Sequence, residues 1–158
     1  MPPPMKCKRI LSLIFFMGFV LHTNAQQPND IAGFWMSSQK NVIVEIYRDS
    51  LDFKGRVVWF DDTDDTSNPM HLRMDMQNPD KNLRTQKIIG LVVLKGLTFN
   101  TRCKCWQNGQ IYDTQSGKTW NASIELENEN SAKVRGFWHF EIFGRSMYFR
   151  RVRSATDF

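Results

Sequence analysis

The chain is poor in the residues that build most catalytic and metal centres. Its 158 residues contain three cysteines, three histidines and nine glycines. His71 and His139 have no second histidine two or four positions away, so neither begins a metal-ligand pair. There is no G-x-S-x-G elbow, no glycine-rich phosphate loop, no H-E-x-x-H and no C-x-x-C. No nucleophile stands at a telling distance from a base, and the reading is therefore of a non-enzyme without a cofactor. The length is also too short for a Rossmann enzyme or a large α/β barrel.

The longest apolar run, Ile10 to Leu21, follows Lys6, Lys8 and Arg9 and precedes the polar His22-Thr23-Asn24 and small Ala25. That order is the anatomy of a secretory signal peptide cleaved after Ala25, and the run is shorter than the ~20 residues that span a bilayer. Residues 1–25 are thus expected to be a leader and 26–158 a single exported domain, periplasmic or extracellular, with no transmembrane segment. Without the leader the chain keeps 18 basic against 16 acidic residues, a net charge of +2. The sequence pI near 9.3 consequently gives no reason to expect a nucleic-acid partner.

Cys7 falls in the leader, which leaves Cys103 and Cys105. On an extended strand both thiols would share a face, with their Cα atoms near the upper limit for a bridge. Two free thiols ask least of the backbone. A cramped disulfide and a metal clip remain open as alternatives.

What the chain does have is a period of two. Trp120 to Glu127 alternates strictly between apolar and polar residues. Val134, Gly136, Trp138, Phe140 and Ile142 line one face of another strand, opposite Lys133, Arg135, His139 and Glu141. Val42–Ile46, Phe53–Trp59, Ile89–Phe99 and Arg145–Val152 continue the pattern, with Lys95-Gly96 a point of bending. Short strands at Phe34–Met36, Cys103–Trp106 and Gln110–Asp113 bring the total to about nine at the accuracy of strand patterns. Asn108-Gly109 and Ser116-Gly117 read as hairpin turns. No stretch carries a comparable helical period. The long segment Asp61 to Arg84 lacks a strand, and Asn78-Pro79-Asp80 predicts a short helical turn in it, Asn78 as N-cap, placed over a barrel mouth.

Many short antiparallel strands hide their edges by closing, so the expected fold is all-β, a small up-and-down barrel. Gly33-Phe34-Trp35 early in the first strand and Arg151 late in the last suit a lipocalin-like arrangement, in which a terminal arginine covers the tryptophan of a G-x-W motif.

Seven segments appear in order: D-I-A-G-F-W (30–35), D-M-Q-N-P-D-K-N-L-R (75–84), I-I-G-L (88–91), W-Q-N-G-Q-I-Y-D (106–113), S-G-K-T-W (116–120), V-R-G-F (134–137) and G-R-S (144–146). Together they resemble the bacterial family called domain of unknown function 2147. Thr114 departs from the proline usual after Tyr-Asp, Trp120 and Phe149 replace other aromatics, and the loop between Phe60 and Asp75 is extended. The resemblance implies a Gram-negative exported protein with a lipocalin-like barrel and no known activity.

Two functions compete. A lumen could carry a small apolar or lipid-like ligand, with Arg84, Tyr112 and Arg135 holding a polar head while Trp106 and Trp138 hold the tail. Alternatively, a filled barrel could dock a cell-envelope protein. Asp113 before Ser116-Gly117 is read as an Asx-type turn, Arg84 as a partner for Asp75 or Asp80, and Asp61, Asp62, Asp64 and Asp65 as a solvated loop rather than a Ca²⁺ site.

Overall fold

The structure is a computed structural model that describes residues 26–137 and 145–156. The proposed leader and Trp138 lie outside the described residues. Eight strands form one closed antiparallel barrel in sequence order: β1 Gly33–Ser37, β2 Val42–Asp49, β3 Asp52–Phe60, β4 Val92–Asn100, β5 Cys105–Asp113, β6 Lys118–Asn128, β7 Ser131–Phe137 and β8 Arg145–Val152. Closure is made by β1 against β8, where Trp35 stands opposite Arg151 and Met36 opposite Arg150. Each described strand has a hydrogen-bonded neighbour on both sides, which is how a sheet this small hides its edges.

The count is eight rather than nine because Cys105–Trp106 and Gln110–Asp113 belong to one strand, with Cys103 and Lys104 in the turn before it. Asn108-Gly109, read as a hairpin turn, is a bulge inside β5: Asn108 has φ 62° and the register with β6 shifts between Trp106 and Gly109. Leu97 of β4 explains the glycine, since a Cβ at Gly109 would lie 2.5 Å from its Cδ2. Gly96, at φ 74°, bends β4 beside that bulge.

Inward residues of successive strands form the core: Trp35, Ile46, Phe53, Leu94, Leu97, Trp106, Ala122, Ile124, Ala132 and Val134, with Ile31 beneath them. Trp35 and Trp106 are essentially fully buried. Each such indole removes roughly 150–250 Å² from water, worth about 4–6 kcal/mol before entropy is subtracted. A 3₁₀ turn at Pro28–Ile31, absent from the sequence reading, supplies Ile31 to the core and closes this end. The turns between β2 and β3, β4 and β5, and β6 and β7 gather at the same closed end. The long β3–β4 connection and the β5–β6 turn lie at the opposite, open end.

Candidate functional site

The closed end is built around Arg151. Its guanidinium carbon sits 4.3 Å from the centre of the Trp35 ring. Nη1 donates to the Ala32 carbonyl at 2.7 Å, Nη2 to the Asp30 carbonyl, and Nε to the Glu129 carbonyl at 2.8 Å. Trp35 in turn donates from Nε1 to the Ile31 carbonyl at 2.8 Å, and Trp106 donates to the Pro28 carbonyl at 3.0 Å. Burial pulls the Arg151 pKa down, opposed by the charges of Asp30 and Glu129. Gly33 is required here: its φ is 129°, and a Cβ would come within 2.8 Å of Arg151 Nη1. The tryptophan–arginine seal expected from the sequence is present.

Above the seal lies an apolar cavity of about 30 Å³, lined by Trp35, Val44, Ile46, Leu94, Ile111, Ile124, Ala132, Val134 and Phe149 among others. That is roughly the space of a methyl group or two, and a cavity with such a lining stays dry. Towards the mouth, a Cβ added at Gly136 would make ordinary contact with Ile111 and Trp120 at 3.9 Å, with nothing nearer among the described residues. Met147, on the same face of β8 as Phe149, is 43% exposed. Arg145 stands opposite Gly136 in the register, at the start of β8.

The long connection does not simply cap this mouth. Met74 bridges Lys87, while Asp75 N donates to the Gln86 carbonyl and Ile88 N to that of Arg73, so the segment folds back on itself as a strap. Asp75 is fully buried. Its carboxylate accepts from Tyr112 Oη at 2.8 Å and Asn78 Nδ2 at 2.7 Å. Burial first, then the hydrogen bond and charge of Asp75, push the Tyr112 hydroxyl up to about 12. Because Tyr112 follows Ile111 on β5 and Ile111 lines the cavity, Tyr112 faces outward. The strap therefore clasps the outside of the barrel. It also rests on the β5–β6 turn, where a Cβ at Gly117 would fall 2.1 Å from the Gln77 carbonyl.

Several sequence expectations are corrected by this geometry. Asp80, not Asn78, caps the short 3₁₀ turn Lys81–Leu83, its carboxylate accepting from Asn82 N at 2.9 Å. Asn78 serves instead as an internal link, bonding Asp75 and accepting from Asp80 N at 3.0 Å. Arg84 donates to the Asn78 carbonyl at 2.8 Å rather than to an acid. Arg84 and Tyr112 are thus both drawn to the strap's knot, away from the lumen. Arg135 alternates with the core residue Val134 and points outward from β7, its Nε buried without a hydrogen bond. Trp106 packs against Phe99 at 5.0 Å in the closed end and does not border the cavity. Asp113 does make the expected turn, accepting from Gln115 N at 3.0 Å and Ser116 Oγ at 2.6 Å.

The acidic loop organises around Arg73. The guanidinium pairs with Asp64 at 2.7 Å, donates to the carbonyls of Asp62, Asp65 and Asn68, and lies 5.6 Å from the Phe60 ring centre. This pairing holds the Asp64 carboxyl below its usual range. The lumen residues of β2, β4 and β8 were missed as site residues. Their alternation was readable, but only the inter-strand register shows that they converge.

A closed eight-stranded barrel with an arginine over the tryptophan of its first strand is lipocalin-like. Residues 33–151 match the family described as an uncharacterized protein conserved in bacteria, DUF2147, and the chain belongs to that family. Among solved structures it is similar to HP1028 of Helicobacter pylori, described as belonging to the lipocalin family. The two share 16% identity at a TM-score of 0.65, over 78% of this chain and 83% of the other. No curated protein sequence matches.

Proposed function

We propose that this is an exported binding protein that takes the apolar tail of a small amphipathic ligand into its barrel, with Arg145 at the rim for an anionic head. The observation that carries this reading is the lining of the cavity, whose named side chains are all apolar. Such a surface recognises hydrocarbon and offers no group for acid, base or nucleophilic chemistry. Because pockets for drug-sized ligands occupy roughly 300–1,000 Å³, the tail enters by displacing side chains near the mouth. Met147 is suited to that, being unbranched and exposed. The inner face at Gly136, where a Cβ could be added without a clash among the described residues, leads from it towards Phe149 and the cavity.

The small closed volume favours a second reading, a filled barrel that docks an envelope protein. Titration with a fluorescent long-chain fatty acid separates the two. The binding reading expects saturable one-to-one binding, reduced at least about tenfold by Ala132→Phe, whose ring overfills the cavity, in a variant that circular dichroism shows to be folded; that ratio corresponds to about 1.4 kcal/mol. Arg145→Ala should weaken the fatty acid more than the corresponding alcohol. Absence of saturable binding, or equal affinity in Ala132→Phe, would overturn it. Native mass spectrometry of protein from its own envelope then shows whether a ligand or a second polypeptide accompanies the chain.

A further inference from the structure

We propose that the Cys103–Cys105 disulfide is a thiol–disulfide exchange site that oxidises peptide or protein dithiols. The two cysteines are bonded across one intervening residue, with Cα atoms 5.3 Å apart. They do not sit side by side on a strand: residues 101–104 form the turn from β4 to β5, and Lys104 takes φ 56°. The turn brings together thiols that an extended backbone would hold apart.

Two features separate this bond from a structural staple. The loop it closes contains only Lys104, and the stabilisation a disulfide gains by restricting the unfolded chain grows with loop length, so here it is near its minimum. The turn is held without it. Asn100 Oδ1 accepts from Arg102 N at 2.9 Å, and Asn100 Nδ2 donates to Gln107 Oε1 at 2.9 Å. The reduced thiols therefore remain close enough to be reoxidised.

Accessibility and charge give the direction of attack. Cys103 is exposed, whereas Cys105 is half-buried beside the fully buried Trp106. Arg102 and Lys104, both exposed, flank Cys103; Glu125 stands opposite Cys105 in the β5–β6 register. A substrate thiolate attacks Cys103 Sγ, forming a mixed disulfide and releasing Cys105 as a thiolate that takes up a proton. The second substrate thiolate attacks its own sulfur in the mixed disulfide and releases the Cys103 thiolate. The substrate leaves with one disulfide, and the two electrons rest on the Cys103/Cys105 dithiol. A further turnover needs a disulfide-bearing oxidant to repeat the exchange in reverse.

The test uses the purified oxidised protein and a peptide carrying two reduced cysteines, quenched with acid at intervals and mapped by mass spectrometry. One peptide disulfide should form per protein bond opened, at least about tenfold faster than with the same concentration of oxidised glutathione. The trapped mixed disulfide should lie on Cys103. Three results would overturn the proposal: a rate no faster than with glutathione, a mixed disulfide chiefly on Cys105, or alkylation of both cysteines before any reductant is added. Circular dichroism of the reduced protein should show an unchanged barrel, and loss of the fold on reduction would mark the bond as a staple and also count against it.

Discussion

Replacing Arg151 by alanine removes the cover of the closed end, and the cost can be worked from its contacts. The side chain donates to three carbonyls and lies over the Trp35 ring. Hydrogen bonds from a charged donor contribute roughly 1.5–3 kcal/mol each when buried. Asp30 and Glu129 are exposed, so water replaces much of what their carbonyls lose. Those two are worth about 0.5 kcal/mol each, and the half-buried Ala32 carbonyl about 1. The cation–π contact over a buried indole adds about 1 kcal/mol. The sum is about 3 kcal/mol, which in a domain of this size lowers the melting temperature by about 10 °C. Thermal and urea denaturation read it directly. Arg151→Lys should recover less than half, because an ammonium cannot present a planar fork to carbonyls on two sides. A double-mutant cycle with Trp35→Leu, which removes the ring face, should show about 1 kcal/mol of coupling. A loss below about 1 kcal/mol for Arg151→Ala, or full recovery with lysine, would refute the idea that the fork itself holds this end together.

Other perturbations read the remaining supports. Gly33→Ala should cost about 1–3 kcal/mol in denaturation, since its φ and the 2.8 Å approach to Arg151 both oppose a side chain. Gly117→Ala should detach the strap from the β5–β6 turn, seen as faster amide exchange across residues 73–88 with little change in the barrel. Asp75→Asn should cost about 1–3 kcal/mol, because a neutral amide with one acceptor oxygen replaces a carboxylate that accepts from both Tyr112 Oη and Asn78 Nδ2. Phenolate absorbance should show a late step from Tyr112, which Tyr112→Phe should abolish. The sign of its linkage follows: an unfolded tyrosine releases its proton near 10, the folded one near about 12, so between them the unfolded chain binds fewer protons. Tyr112 therefore makes stability fall as pH rises from about 10 to 12, and wild type should lose more than Tyr112→Phe across that window.

Local alternation was enough to reveal the barrel, because an inward residue every second position is imposed on each strand separately. It was enough for the Trp35–Arg151 seal too, since closure of an up-and-down barrel must bring the first strand to the last. It failed at Asn108-Gly109, where the same dipeptide suits a hairpin or a bulge and Leu97, eleven residues earlier, decides. It failed again at Tyr112 and Arg135. Each was assigned a ligand role by its chemistry, yet strand parity already placed both opposite the apolar face. Asp75 gave no local signal of burial; its place depends on a tyrosine 37 positions away.

The two ends of the barrel thus divide the work by chemistry. At the closed end Trp35 and Trp106 donate to the carbonyls of Ile31 and Pro28, and Arg151 ties that same turn to the last strand. The Arg151 fork does not yield without breaking several of these bonds together. The open half holds the inner face that a glycine leaves wide at position 136, and an exposed methionine beside it. The polar knot of Asp75, Asn78 and Tyr112 fixes the strap on the outside, so the apolar inner face is spared a carboxylate that would repel hydrocarbon. A barrel sealed at one end and soft at the other can repack its lumen around a tail without loosening its closure. Overfilling the lumen by Ala132→Phe should accordingly weaken the proposed binding at least about tenfold while leaving the Arg151-dependent part of the stability intact.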